Sequence, residues 1–213
     1  MSFQVFDYRK DITNMLVTPQ IRSRFLKMEV GQFNQSHTHD LGHEIFLILQ
    51  GQAEFEIDGH KEVVGPGQLC IALTDEPHTV RNVGDDEVIM YLSVTPHILP
   101  THTSWTEDGE KKPPRFAKSS AYDQEADLSV GAVERADEHL QAVECLLSQM
   151  QDTVDVQRKQ VAVFKQALAD GDEQAALKAR DDMWGALYPM FKGVHEMAGV
   201  WNEFGHRTVD EEG

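Results

Sequence analysis

A β-barrel or sandwich followed by an antiparallel helical hairpin is the fold class that this 213-residue chain predicts. Two periodicities and the break between them carry that reading. To about residue 100, short strand-like runs alternate with Gly, Pro and Asp turns, the pattern of an antiparallel sheet protein. From about residue 127, apolar residues recur at threes and fours, the period of a helix face. Between them, Pro96, Pro100, Pro113 and Pro114 with several Thr, Lys and Ser mark a connector. The expected division is a barrel domain over residues 1–100, a connector over 101–125, a helical hairpin over 126–206 and an acidic tail over 207–213.

Each element has its own warrant. Ile21 to Val30 reads as a strand, and Ile45 to Leu49 as another, with Asp40 to His43 as a bend before it. Ala53 to Ile57 alternates cleanly into Asp58-Gly59, a strong two-residue hairpin turn. Val63-Val64 continues to the turn Gly65-Pro66-Gly67, then Leu69 to Leu73, His78 to Arg81 and Val88 to Val94 follow as strands. In the second half, Val130, Val133, Leu140, Val143, Leu147, Met150, Val154, Val161, Phe164 and Leu168 form one apolar stripe. Asp170-Gly171-Asp172 supplies a helix stop and a fresh N-cap. A second stripe runs Ala176, Met183, Leu187, Met190, Val194, Met197, Trp201 and Phe204, with Pro189 inside as an expected kink or break. The first helix has a further candidate break near Asp152-Thr153. Two helices cannot hide stripes this long alone, so they are expected to bury against the barrel or against a second copy, and a homodimer is the expected assembly.

Composition excludes several partners. The net charge of −17 repels phosphate backbones and anionic lipid, so neither nucleic acid nor membrane is an expected partner. No apolar run approaches the roughly 18 residues of a membrane span, and the start lacks the basic and apolar regions of a signal peptide. Cys70 and Cys145 make neither a disulfide framework nor a metal-ligand spacing, and a cytoplasmic location is expected.

One constellation carries specific chemistry: Gly31-x5-His37-x-His39-x4-Glu44-x6-Gly51, with His78 downstream. Imidazole and carboxylate suit a divalent first-row transition metal, and four such ligands leave coordination positions open on a six-coordinate ion. His37 and His39, two apart on a strand, leave the same face. Glu44 follows the bend, so one hairpin is expected to supply three ligands and a distant strand the fourth.

These residues resemble the cupin family. The first stretch fits the first cupin motif, G-x5-H-x-H-x(3,4)-E-x6-G, at each specified position. The second motif, G-x5-P-x-G-x2-H-x3-N, is similar to Gly67 through Asn82, with Leu73 in place of the Pro and Asp75 in place of the second Gly. The resemblance spans roughly residues 15–100 and implies a double-stranded β-helix (jelly-roll) barrel with one metal held by His37, His39, Glu44 and His78. Fe(II), Mn, Ni, Zn and Cu all accept that ligand set.

Strand parity extends the ligands into a pocket. Phe33 and Gln35 share the parity of His37, Phe46 and Ile48 that of Glu44, and Val80 and Asn82 that of His78. The pocket is therefore expected to be largely apolar, with Gln35 bonding a ligand or a metal-bound water, a surface or supporting role being the alternative. Asn82 is expected to hold a turn and His43 to sit on the rim. Arg22 and Arg24 share one strand face; a solvated face is the expectation, a guanidinium offered to a carboxylate the alternative. His97 and His102 stand at the barrel mouth as acid/base groups or a weak second metal site, or are ordinary loop histidines. The functional reading is a metal-dependent enzyme of the dioxygenase type acting on a small organic molecule. A metal- or ligand-binding sensor whose helices mediate dimerisation or partner contacts is the alternative, and a lyase or isomerase would use the same ligands.

Overall fold

The computed structural model describes residues 3–211; residues 1–2 of the expected barrel domain and 212–213 of the expected acidic tail lie outside them. Among the described residues the strands are β1 (Asn14–Val17), β2 (Arg22–Met28), β3 (His43–Gln50), β4 (Ala53–Ile57), β5 (His60–Val64), β6 (Leu69–Ala72), β7 (His78–Asn82) and β8 (Val88–Thr95). A single 3₁₀ turn at Ser119–Tyr122 precedes two helices, α1 (Ala132–Ala169) and α2 (Glu173–Asp210).

Strands pair antiparallel throughout, in one sheet ordered β1-β2-β8-β3-β6 and another ordered β5-β4-β7. Together they make a β-sandwich, and the alternation read in the sequence becomes its core. Phe46 and Ile48 on β3, Met90 and Leu92 on β8, Met28 on β2 and Phe55 and Val80 from the other sheet are all buried. Each large apolar side chain buried this way contributes roughly 1.5–3 kcal/mol.

Turn chemistry sets the register. Asp58 and Gly59 both adopt positive φ, 48° and 77°, as a type I′ turn requires, and Ile57 faces His60 across it. Gly51 has φ +75°, and a Cβ there would lie 2.6 Å from the Glu87 carbonyl oxygen, so only glycine fits between β3 and β4. The side chain of Asn82 closes the last turn: its amide donates to the Met28 and Asp86 carbonyls and its oxygen accepts from Gly84 N–H.

The chain divides into two compact units, one reaching from the N-terminus to Leu128 and taking in the residues from Gly205, the other spanning Ser129–Phe204. The connector residues thus belong with the sandwich. Asp123 accepts hydrogen bonds from the Asn14 backbone and the Thr13 hydroxyl, and Thr103 pairs with Thr38. Residues 207–210, placed in an acidic tail by sequence reasoning, are instead the last turn of α2.

Neither candidate break interrupts a helix. At Thr153 the hydroxyl bonds back to the Gln149 carbonyl and also reaches the Ala186 carbonyl on α2, so α1 continues. Pro189 lies inside α2 without ending it. Asp172 caps α2 by accepting from Ala175 N–H. Of the first apolar stripe, Val133, Leu140, Leu147 and Leu168 are exposed. No helix among the described residues is long and apolar enough to cross a membrane.

Candidate metal centre

Glu44 enters near the start of β3, set between Ala72 of β6 and Val94 of β8, and its side chain points into the sandwich. His78 opens β7 opposite Ile57. His37 and His39 arrive differently from the expected hairpin. They sit on an irregular extended segment before β3, pinned by isolated bridges of His37 to His78 and of Thr38 to Thr103. β3 itself pairs with β6 and β8, because the turn at Asp40–Gly42 carries the chain out of the segment's line before Glu44. The Gly42 backbone there packs tightly, with a Cβ only 2.8 Å from the Pro96 carbonyl oxygen.

In the turn before His78, Asp75 stands where the resembled motif has its second glycine. Asp75 holds φ +66°, the left-handed conformation a glycine would take there, and Asp is one of the side chains that tolerates it. Its N–H donates to the His39 carbonyl, tying this turn to a ligand residue.

The four side chains converge, their candidate ligand atoms all lying within 4.8 Å of one another. His39 Nε2 and His78 Nε2 are each 3.0 Å from Glu44 Oε2, and His37 Nε2 is 4.0 Å from it. Each ring is oriented from behind by a backbone carbonyl: Gln35 O for His37, Thr101 O for His39 and Glu76 O for His78, at 2.9, 2.6 and 2.9 Å from Nδ1. A carbonyl only accepts, so each Nδ1 carries a proton, and Nε2 is the atom that faces Glu44, able to donate to it when protonated or to ligate a metal when not. Three imidazole nitrogens and a carboxylate converge on one point, where protons on the imidazoles or a metal cation would balance the Glu44 charge. The donor set and the preset tautomers therefore fit a divalent metal, and this cluster could hold one.

Electrostatics follow the same geometry. Burial alone would raise Glu44, but hydrogen bonds from His39 and His78 hold it well below the usual carboxylate range. Burial, then the neighbouring His78 charge, lowers His37 to about 4. Burial would also lower His78, yet its bond to Glu44 outweighs that and its pKa is raised.

A cavity of about 810 Å³ opens beside the cluster. Its wall is less apolar than strand parity suggests. Phe46, Val80, Leu26 and Leu92 line it, but so do Arg22, Arg24, Arg115 and Lys118. The solvated face expected for Arg22 and Arg24 is thus overturned, because both alternate with Leu26 and buried Met28 on β2 and so point inward.

Gln35 requires a correction too. Its side chain is exposed, Phe33 is 53% exposed, and Asn34 lines the cavity instead. Parity counted back from His37 assumes a continuous strand, whereas this segment pairs with β7 through isolated bridges at Phe33 and His37 and forms no regular strand between them. Gln35 serves the site through its carbonyl. His43, as expected, is on the rim, where its ring accepts from Thr74 N–H.

His97 and His102 separate. The His102 ring lines the cavity 4.9 Å from that of His37 and 4.8 Å from that of His39. Solvent in the cavity reaches it, but protein surrounds it, and burial with the adjacent His37 lowers it to about 3. His97 is fully buried rather than at a mouth, its ring 5.0 Å from Tyr122, which in turn lies 5.2 Å from His206. No group of three or more metal-ligating side chains that includes His97 or His102 is found among the described residues. Residues missed by sequence reasoning include Thr101, whose carbonyl orients His39, and Tyr122, over whose ring the Arg22 guanidinium lies at 5.5 Å.

The antiparallel sandwich carries at its interior a His₃Glu cluster that could hold a metal ion. Residues 24–95, about a third of the chain, match the family model described as the cupin domain. The chain is similar to a double-stranded β-helix protein of Klebsiella pneumoniae, at 21% identity over 45% of this chain and 91% of that one, with a TM-score of 0.42. It is also similar to the conserved SPY1581 protein of Streptococcus pyogenes, at 21% identity over 46% and 90%, TM-score 0.39. A third similar structure is an oxalate oxidase in complex with the substrate analogue glycolate, at 22% identity over 36% and 42%, TM-score 0.35. No curated protein matches the chain.

Proposed function

We propose that the protein is a metal-dependent enzyme, of the oxygenase type, acting on a small organic molecule held in the barrel. The observation that carries this reading is the preset ligand cluster opening directly onto a cavity large enough for a substrate. A divalent ion held by His37, His39, Glu44 and His78 would supply Lewis acidity and open coordination positions, and a redox-active ion such as iron in that set would suit O2 chemistry. The chain's own residues do the rest. The carbonyls of Gln35, Thr101 and Glu76 fix the imidazoles, the apolar wall of Phe46, Val80 and Leu92 excludes water, and His102, held neutral, offers a hydrogen-bonding nitrogen beside the ligands. The homodimer and a cytoplasmic location stay with this reading as proposals.

The expected outcome for His39→Ala is loss of substrate-dependent O2 uptake with the sandwich still folded, followed with an oxygen electrode and circular dichroism. O2 uptake persisting at the wild-type rate in that variant sinks the reading.

A further inference from the structure

Arg22 and Arg24 give the cavity a chemical preference. The Arg22 side chain is 7% exposed, and its Nη2 stands 3.9 Å from Glu44 Oε1, too far for a hydrogen bond. The Nε of each arginine is buried with no hydrogen-bond partner. Among the described residues lining the cavity, four are cationic, counting Arg115 and Lys118, while Glu44 alone is acidic and is already engaged by the imidazoles. This cationic chamber lies in a chain whose net charge is −17. Buried donors without acceptors are costly, and a bound anion relieves them. The Tyr122 ring holds the Arg22 guanidinium in place, and Leu26, Phe46 and Leu92 offer an apolar wall for an organic body.

Resting on the enzyme reading above, we propose that the substrate is a small organic acid whose carboxylate is received by Arg22 and Arg24 beside the metal ligands. A guanidinium fork matches a carboxylate in two parallel hydrogen bonds, which a lysine cannot reproduce. The test is calorimetric binding to the metal-loaded full chain of a panel of mono- and dicarboxylates from acetate to benzoate and 2-oxoglutarate, each against its methyl ester, with inorganic phosphate as a further arm. An acid binds and its ester does not, Arg24→Gln weakens that binding about 10- to 100-fold with metal content unchanged, and Arg22→Lys also weakens it despite keeping the charge. Binding of phosphate in preference to every acid overturns the proposal, as does equal binding of acid and ester or an unchanged Kd in Arg24→Gln. An acid bound through Arg24 but never turned over upholds this proposal and removes the enzyme reading. Turnover of a neutral compound with no acid bound does the reverse.

A different observation, confined to the helical unit, carries a second inference. Val133, Leu140, Leu147, Val154, Val161 and Leu168 occupy every seventh position of α1, and all are exposed, from 39% at Val161 to 80% at Val133. The side of α1 turned to α2 is more polar: Thr153 and Gln157 bond the Ala186 and Met183 carbonyls. A strict seven-residue repeat is the seam of a coiled coil, and charges flanking it set partner and orientation. Here the flanking residues, each four beyond a seam residue, are Asp137, Glu144, Gln151, Arg158 and Lys165. They change sign about Gln151. An antiparallel copy centred there sets Asp137 against Lys165 and Glu144 against Arg158.

We infer that α1 pairs antiparallel with α1 of a second copy of this chain along this seam, a two-fold contact roughly 50 Å long. Sedimentation velocity of the full chain is expected to show a dimer that Leu147→Asp dissociates without loss of helicity. Glu144→Arg is expected to weaken it about tenfold, and Glu144→Arg/Arg158→Glu to restore it. A monomeric wild type, a dimer indifferent to Leu147→Asp, or a charge exchange that does not restore association overturns the inference.

Discussion

Glu44→Gln is expected to purify without stoichiometric metal, its affinity for a divalent ion falling by at least about 100-fold. Glu44 is the one carboxylate of the cluster and the point on which all three Nε2 atoms converge. An amide keeps the shape but removes the charge that balances a divalent ion, and even groups behind a ligand are worth 10- to 100-fold in affinity. The informative contrast is His102→Ala. Its ring stands beside two ligands but outside the converging group, so that variant is expected to keep its metal. Elemental analysis with chelator competition reads both variants. A metal-replete Glu44→Gln would remove the cluster from consideration as the binding site.

Acidification is expected to strip stability from the metal-free protein between pH 6.5 and about 4. Burial depresses His37 to about 4, and burial with the Arg22 and His206 charges depresses His97 to about 3. Below 6.5 the unfolded chain binds protons at both residues that the folded chain refuses, so stability falls as pH falls through that window. Each such histidine contributes about 1.4 kcal/mol per pH unit while only the unfolded form is protonated, several kcal/mol in all. His78 has the opposite sign. Its raised pKa contributes stability that is fully present below the unfolded value and is lost as pH rises through the folded one, so it does not offset the acid loss inside this window. Glu44, depressed, contributes above the ordinary carboxylate pKa and surrenders that only at more acid pH. Urea midpoints of chelator-treated protein from pH 7 to 4 measure the effect. Metal release should share the window, because protons compete with the ion for Nε2. A flat profile over that range contradicts the buried, neutral histidines described above.

The sandwich was legible because its strands alternate and its turns announce themselves: Asp58-Gly59 specifies its hairpin outright, and Gly51 admits no other residue. The candidate metal ligands were legible because His37, His39 and Glu44 lie within one short span, His78 falls in register with a second motif, and their identities are restrictive. What escaped was whatever depends on the path of irregular chain. Gln35 was placed in the cavity by a parity rule that holds only for regular strands, and isolated bridges at Phe33 and His37 do not impose it. Arg22 and Arg24 misled because charge suggests solvent, though their spacing from Leu26 and Met28 carried the opposite information. Thr101, Tyr122 and His206 reach the barrel from beyond its last strand, and no local pattern marks such contacts.

That last group has a consequence for modularity. A chain truncated after Thr95 would retain every residue of the recurring ligand pattern. It would also lose the carbonyl that aims His39, the His102 ring and the Tyr122 support beneath Arg22. The stretch that matches the family model is thus shorter than the stretch that builds the candidate site. Barrels sharing that ligand set but differing in the chain beyond their last strand are free to present the same ion to entirely different molecules.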